Sequence, residues 1–128
     1  MDLLLDTHAF IWFMEGDDSL PEKSINAIKN ISNNCFVSAA SLWEIAIKVS
    51  LKKIELQSDF DKIIHFIADN DIDILSITFD HLQKLLTIPF YHRDPFDRII
   101  IAQGLSENFT IVTKDKNFES YTDVILWR

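Results

Sequence analysis

Hydrophobic residues along this chain fall into short runs and helical spacings that alternate from end to end. Leu3, Leu4 and Leu5 form a continuous apolar run closed by Asp6, the pattern of a strand buried on both faces. A helix is predicted from Ala9 to Met14. Around Ser19, Leu20, Pro21 and Glu22 a proline in the first turn opens another, whose Ile25, Ile28 and Ile31 recur at every third position. Cys35 to Ser38 reads as a second strand, and Ser41 to Ser50 as a helix with Leu42, Ile45, Ala46 and Val49 on one face. Lys52 to Ser58 is a connection. From Asp59 onward, Phe60, Ile63, Ile64 and Ile67 are spaced as an amphipathic helix, and the β-branched run Ile72 to Ile77 suits a strand. Thr78 to Thr87 carries Leu82, Leu85 and Leu86 on a helix that Pro89 prevents from continuing. Asp94, Pro95, Phe96 and Asp97 open a strongly apolar helix through Ile99, Ile100, Ile101, Ala102 and Leu105. Phe109 to Thr113 forms the next strand, Asn117 to Tyr121 a helical turn, and Val124 to Leu126 the last strand. Strands separated by helices need crossover connections, which predicts an α/β fold with a mostly parallel sheet covered on both faces.

Composition narrows what such a fold can do. At 128 residues the chain has the length of a single domain, residues 1–128, able to bury roughly two-thirds of its unfolded surface without disulfides or structural metal. Its 2 glycines, Gly16 and Gly104, stand alone, so neither a Walker A loop nor a G-x-G-x-x-G turn can cradle a phosphate. With 20 acidic against 12 basic residues, a net charge of −8 and a pI near 4.8, a broad basic surface that grips nucleic acid by charge alone is excluded. Cys35 is the one cysteine, which leaves no disulfide framework and no Cys-rich zinc site and fits a reducing compartment. The N-terminus lacks the basic start of a signal peptide, and no apolar run approaches the ~20 residues of a membrane span, so a soluble, cytoplasmic protein without membrane contact is expected.

In open parallel sheets ligands bind beyond the carboxyl ends of the strands, and that is where the acids of this chain fall. Asp6 ends the first strand, Glu44 lies on the helix after the second, Asp94 and Asp97 open the helix before the fourth, and Asp115 follows that strand. Four or five carboxylates at one sheet edge would repel one another, and a hard divalent cation, Mg²⁺ or Mn²⁺, would relieve the repulsion. The chemistry this suggests is metal-assisted phosphodiester hydrolysis. Each acid also has an ordinary structural role available. Asp94 before Pro95 suits a helix N-cap, with Asp97 facing the free amides. Glu44 precedes Lys48 by one turn and can form a surface ion pair, and Asp115 can be a turn aspartate.

The remaining polar residues give less. His65 and His81 read as surface or half-buried helix residues, while His8 and His92 sit beside the acids and could touch substrate or a metal's outer sphere. No histidine has a partner at zinc-ligand spacing. Ser38 and Ser41 lack a His/Asp relay. Phe10, Trp12, Trp43 and Phe96 are read as core.

Four segments, DTHAFIWF, SLWEIAIK, HRDPFDRIIIAQ and TIVTKDKNF, together resemble PIN-domain ribonucleases, especially the VapC toxins of bacterial type II toxin–antitoxin modules. They occur in the family's order over nearly the entire chain. The resemblance implies a three-layer α/β/α sandwich with a mostly parallel central sheet and an acidic Mg²⁺ or Mn²⁺ pocket that cleaves RNA. By motif position, Asp6 matches the N-terminal acid, Glu44 the helix glutamate, Asp97 the acid before the I-A-Q run and Asp115 the last acid. Asp6 and Asp97 would then be the principal metal ligands, Glu44 a ligand or water-orienting base, and Asp115 a ligand or second-site carboxylate. Asp94 belongs to the extended D-P-F-D form, as ligand or as cap. Gly104 stands where the family usually has a small residue. Arg93, Arg98, Lys48, Lys114, Lys116 and His92 would meet the RNA. A cognate antitoxin and a homodimer are implied as well. Two other readings compete: a receiver-type phosphoacceptor domain that binds Mg²⁺, and a catalytically silent interaction module on the same fold.

Overall fold

The computed structural model describes residues 1–128. Five parallel strands form one sheet: β1 (Asp2–Leu5), β2 (Asn34–Ser38), β3 (Ile72–Leu75), β4 (Thr110–Val112) and β5 (Ile125–Leu126), in the order β3-β2-β1-β4-β5. Six helices connect them: α1 (Thr7–Glu15), α2 (Glu22–Lys29), α3 (Ala39–Ser50), α4 (Lys62–Asp69), α5 (Phe79–Thr87) and α6 (Pro95–Glu107), with a short 3-10 helix at Lys116–Ser120. The three-layer α/β/α sandwich expected from the sequence is the fold that forms.

The continuous apolar run of β1 is explained by its place at the centre of the sheet, where Leu3, Leu4 and Leu5 are wholly buried. Alternation splits them between the two faces. Leu3 and Leu5 pack with Phe10, Ile28, Ile45, Ile63 and Ile67, and Leu4 packs with Ile100, Ile101, Ile111 and Phe118. Helix α3 reaches round toward α6, where Ala40 meets Ile99 and Ala102. Side-chain caps set several helix starts: Asp6 for α1, Ser38 for α3, Thr78 for α5 and Asp94 for α6. At the far end of α1, Gly16 takes the left-handed conformation, φ 65°, that closes the helix.

Some expected elements change. Helix α2 stops at Lys29, and Ile31 is 99% exposed, because the Asn30 side chain accepts the Ser32 N–H and turns the chain away from the core. Strand β3 ends at Leu75, opposite Ser38, where its partner β2 also ends, so Ser76 and Ile77 have no ladder to join. Helix α4 begins at Lys62 and buries Ile63 and Ile67, leaving Phe60 and Ile64 exposed. His81 is fully buried, deeper than the surface or half-buried placement expected for it. Its Nδ1 accepts the Thr78 N–H and its Nε2 lies 2.9 Å from Glu107 Oε1, which ties α5 to the end of α6. Trp43 is not core either: it is 61% exposed.

Candidate metal centre

The strand order turns back at β1. The chain proceeds outward through β2 and β3, then returns to place β4 on the other side of β1. A crevice forms at such a switch point, and the residues leaving β1 and β4 meet there. Asp6 is the N-cap of α1. Its Oδ1 accepts the Ala9 N–H at 2.8 Å, and its Oδ2 accepts the Thr113 hydroxyl at 2.6 Å. The Thr113 oxygen in turn accepts the Asp115 N–H at 3.0 Å, so one threonine links the acids that follow the two central strands. Asp6 is 5% exposed. Burial pushes its carboxyl up, and the hydrogen bonds from Thr113 and Ala9 only partly oppose this.

Glu44 is buried to a similar degree, 4% exposed, on α3. Its Oε1 accepts the Thr7 hydroxyl at 2.7 Å and its Oε2 pairs with Lys48 Nζ at 2.7 Å. Thr7 also lies 3.0 Å from the Ser41 hydroxyl. Both carboxylate oxygens are therefore oriented by their own neighbours.

The start of α6 supplies the third side. Asp94 Oδ1 accepts the amides of Phe96 and Asp97, with Pro95 in the first helical position. Asp94 is thus the cap that its Asp-Pro context offered. Asp97, one step inside, turns toward the crevice. His92 Nε2 lies 3.0 Å from Asp97 Oδ2 and 3.0 Å from Asp115 Oδ2. His92 Nδ1 accepts the Asp94 N–H, which leaves Nε2 facing the two carboxylates. Asp97 is pushed up to about 7, first by burial, then by Asp94, with Asp6 and Glu44 adding to the shift and His92 opposing it. All the other acids named from the sequence except Asp115 act on this one carboxyl, and Asp115 reaches it through His92.

The ligand atoms of His92, Asp97 and Asp115 lie within 4.8 Å of one another. Two carboxylate oxygens and an imidazole nitrogen held close and partly desolvated suit a divalent cation, which would offset the part of the Asp97 shift that comes from its acidic neighbours. The donor set therefore fits the metal class that the sequence suggested.

The PIN domain family profile matches residues 3–124. The chain belongs to the PIN domain family. No curated protein matches it in sequence. Among solved structures, the PIN domain resembles VapBC2 from Rickettsia felis, bound to a DNA fragment of its promoter, with a TM-score of 0.74 and 18% identity over 100% of both chains. It resembles FitAcB from Neisseria gonorrhoeae with a TM-score of 0.63 and 18% identity, covering 98% of this chain and 96% of that one. A toxin–antitoxin complex from Klebsiella pneumoniae gives 0.62 and 14% identity, covering 97% and 95%. At these identities the likeness is one of fold.

The cations expected to meet substrate separate into two groups in this PIN domain. Arg98 is not available: it is 6% exposed, and its guanidinium donates to the carbonyls of Pro89, His92 and Ile88 beneath the Phe90 ring. The helix that carries Asp97 turns Arg98 inward to hold the loop that carries His92. Lys48 is half-buried and spent on Glu44. Arg93, Lys114 and Lys116 are exposed and form no ion pair.

Three further residues shape the centre without having been singled out for it. Thr7 and Thr113 orient Glu44 and Asp6, and each follows a strand in a D-T-H or V-T-K context that gives the acid a hydroxyl neighbour. Tyr121 accepts the His92 N–H and donates to the Pro89 carbonyl, both at 2.7 Å. Its separation of 29 residues from His92 leaves no local signal in the sequence.

Proposed function

We propose that this PIN domain is a Mg²⁺- or Mn²⁺-dependent endoribonuclease, the toxin of a type II toxin–antitoxin pair. What supports the reading is the close set of His92, Asp97 and Asp115, with Asp97 pushed up to about 7 by burial and by acidic neighbours that include Asp6 and Glu44. Asp97, Asp115 and Asp6 would hold the cation, with Glu44 as a further ligand or the base that orients water. A bound divalent cation supplies Lewis-acid charge for the phosphate and a more acidic water as nucleophile. The chain's own residues do the positioning. Thr113 and the Ala9 N–H orient Asp6, Thr7 and Lys48 orient Glu44, and His92 Nε2 lies 3.0 Å from both Asp97 and Asp115. Asp94 caps α6, so that Asp97 leaves the helix at its first turn.

Arg93, Lys114 and Lys116 flank these acids in sequence and would take the phosphates on either side of the cleaved bond. A cognate antitoxin is supported by the fold likeness to VapBC2, FitAcB and the toxin–antitoxin complex, and a second copy of the chain is proposed from the family resemblance alone. Membership of the PIN family removes the receiver alternative, and β3 closes at Leu75 without the phosphorylatable acid such a domain needs. The silent-module alternative predicts no metal binding.

The test uses purified protein and an unstructured RNA in Mn²⁺. Asp97→Asn and Asp6→Asn abolish cleavage, chelation by EDTA does the same, and both variants unfold cooperatively like the parent. Undiminished cleavage by either variant overturns the assignment, and absence of calorimetric Mn²⁺ binding by the parent selects the silent module.

A further inference from the structure

The short 3-10 helix after β4 presents three residues to one partner. Its cap, Asp115, accepts the Asn117 N–H. Two successive backbone bonds then join Asp115, Phe118 and Tyr121: the Phe118 N–H donates to the Asp115 carbonyl at 3.2 Å, and the Tyr121 N–H to the Phe118 carbonyl at 3.0 Å. A 3-10 helix has three residues per turn, so residues at this spacing share one face. All three meet His92. Asp115 Oδ2 lies 3.0 Å from its Nε2, and the fully buried Phe118 ring stands edge to face with the imidazole, centroids 6.1 Å apart. The Tyr121 hydroxyl accepts the His92 N–H at 2.7 Å and donates to the Pro89 carbonyl, which also accepts from Arg98.

The backbone and the ring of His92 are thus both set by one short turn, and its Nε2 is left 3.0 Å from Asp97 Oδ2 as well. Asp97 comes from α6 and Asp115 from the turn after β4; His92 is the side chain that touches both. We propose that Tyr121 is a positioning residue of the metal centre: its hydroxyl anchors the Pro89–His92 loop to the turn that carries Asp115, so that His92 keeps Asp97 and Asp115 placed for a divalent cation. The proposal rests on the metal reading above. Groups that orient metal ligands from outside change affinity by roughly 10–100-fold when removed. Both hydrogen bonds of the Tyr121 hydroxyl go to loop backbone and none to a carboxylate, so its effect on the cation passes through the loop.

The experiment titrates the metal-free protein with Mn²⁺ by calorimetry, for the parent, Tyr121→Phe, His92→Ala and the double variant, each shown to be folded by urea unfolding. Tyr121→Phe keeps the ring packed on Tyr91 and loses only the hydroxyl. It weakens Mn²⁺ binding by about tenfold, whereas Tyr91→Phe, on the exposed neighbouring ring, leaves the Kd unchanged. His92→Ala weakens binding by about tenfold or more, and in that background Tyr121→Phe adds nothing further. His92→Phe, which keeps a ring against Phe118, replaces His92→Ala in the cycle if the alanine variant is unfolded. A Kd for Tyr121→Phe equal to that of the parent overturns this proposal alone and leaves the metal reading standing. A loss that multiplies with that of the His92 variant also overturns it, since Tyr121 would then act by another route. Absence of Mn²⁺ binding by the parent overturns the metal reading and this proposal together.

Discussion

Asp97 is the residue on which the centre turns, and its proton couples stability to pH. In the folded chain it titrates near 7 against 3.8 for a free carboxyl. Between those values the folded state binds more protons than the unfolded one, so stability falls as pH rises through that window. Asp6 is shifted in the same direction. In EDTA the urea midpoint should therefore be higher at about pH 5.5 than at about pH 7.5, and Asp97→Asn should flatten the difference. A midpoint that climbs with pH in the metal-free parent would refute this account. The positions of Asp6 and Asp115 just beyond β1 and β4, and of Glu44 and Asp97 in the first half of α3 and α6, were readable from the order of apolar runs. The fate of Arg98 was not, since the same D-R dipeptide serves an exposed phosphate contact or a buried strut. Which one forms depends on three carbonyls of a loop that begins ten residues upstream.

At the scale of elements, the distance between α6 and β4 governs how Asp97 and Asp115 face each other, and Gly104 sets that distance. A Cβ there would lie 2.6 Å from Ile111 Cδ1 and 2.8 Å from its Cγ1. Ile111 is fully buried, so it cannot step aside cheaply. Gly104→Ala should cost about 1–3 kcal/mol from overpacking, less about 0.5–1 kcal/mol regained in helix propensity. Denaturant unfolding of Gly104→Ala, Ile111→Val and the double variant tests this. Ile111→Val should be far better tolerated in the Gly104→Ala background than in the parent, and strict additivity would mean the two side chains do not meet. Sequence periodicity found every helix and strand of the chain, but it misplaced several ends that the side chain of a flanking residue decided. Asn30 cut α2 short by capturing Ser32, and Ser38 and Asp6 moved the starts of α3 and α1 earlier than the apolar spacing indicated. A rule that reads apolar spacing cannot see these polar contacts.

At the scale of the whole molecule, the order β3-β2-β1-β4-β5 brings residues more than a hundred positions apart, Asp6 and Thr113, into hydrogen-bond contact. The alternation of strands and helices announced a parallel sheet without giving that order, because apolar spacing along the chain carries no signal of the side of β1 to which the chain returns. The same arrangement concentrates negative charge at the crevice of a chain that already carries −8, so under the proposed function RNA would be held by few cations and by metal. With Lys48 and Arg98 engaged internally, Arg93, Lys114 and Lys116 remain. For single-stranded RNA each neutralised phosphate contributes about −0.7 to the slope of log K against log salt, which gives about −2 for three contacts per subunit and about −3.5 were all five cations to bind. Binding of a short unstructured oligoribonucleotide in Ca²⁺, measured from about 50 to about 200 mM salt, should follow the shallower slope. Lys116→Ala should reduce it by about 0.7, whereas Lys48→Ala should leave it unchanged. A slope of about −3.5 per subunit that drops when Lys48 is removed would show that the Glu44 ion pair opens for substrate, and the division of the cations into free and engaged would then be wrong.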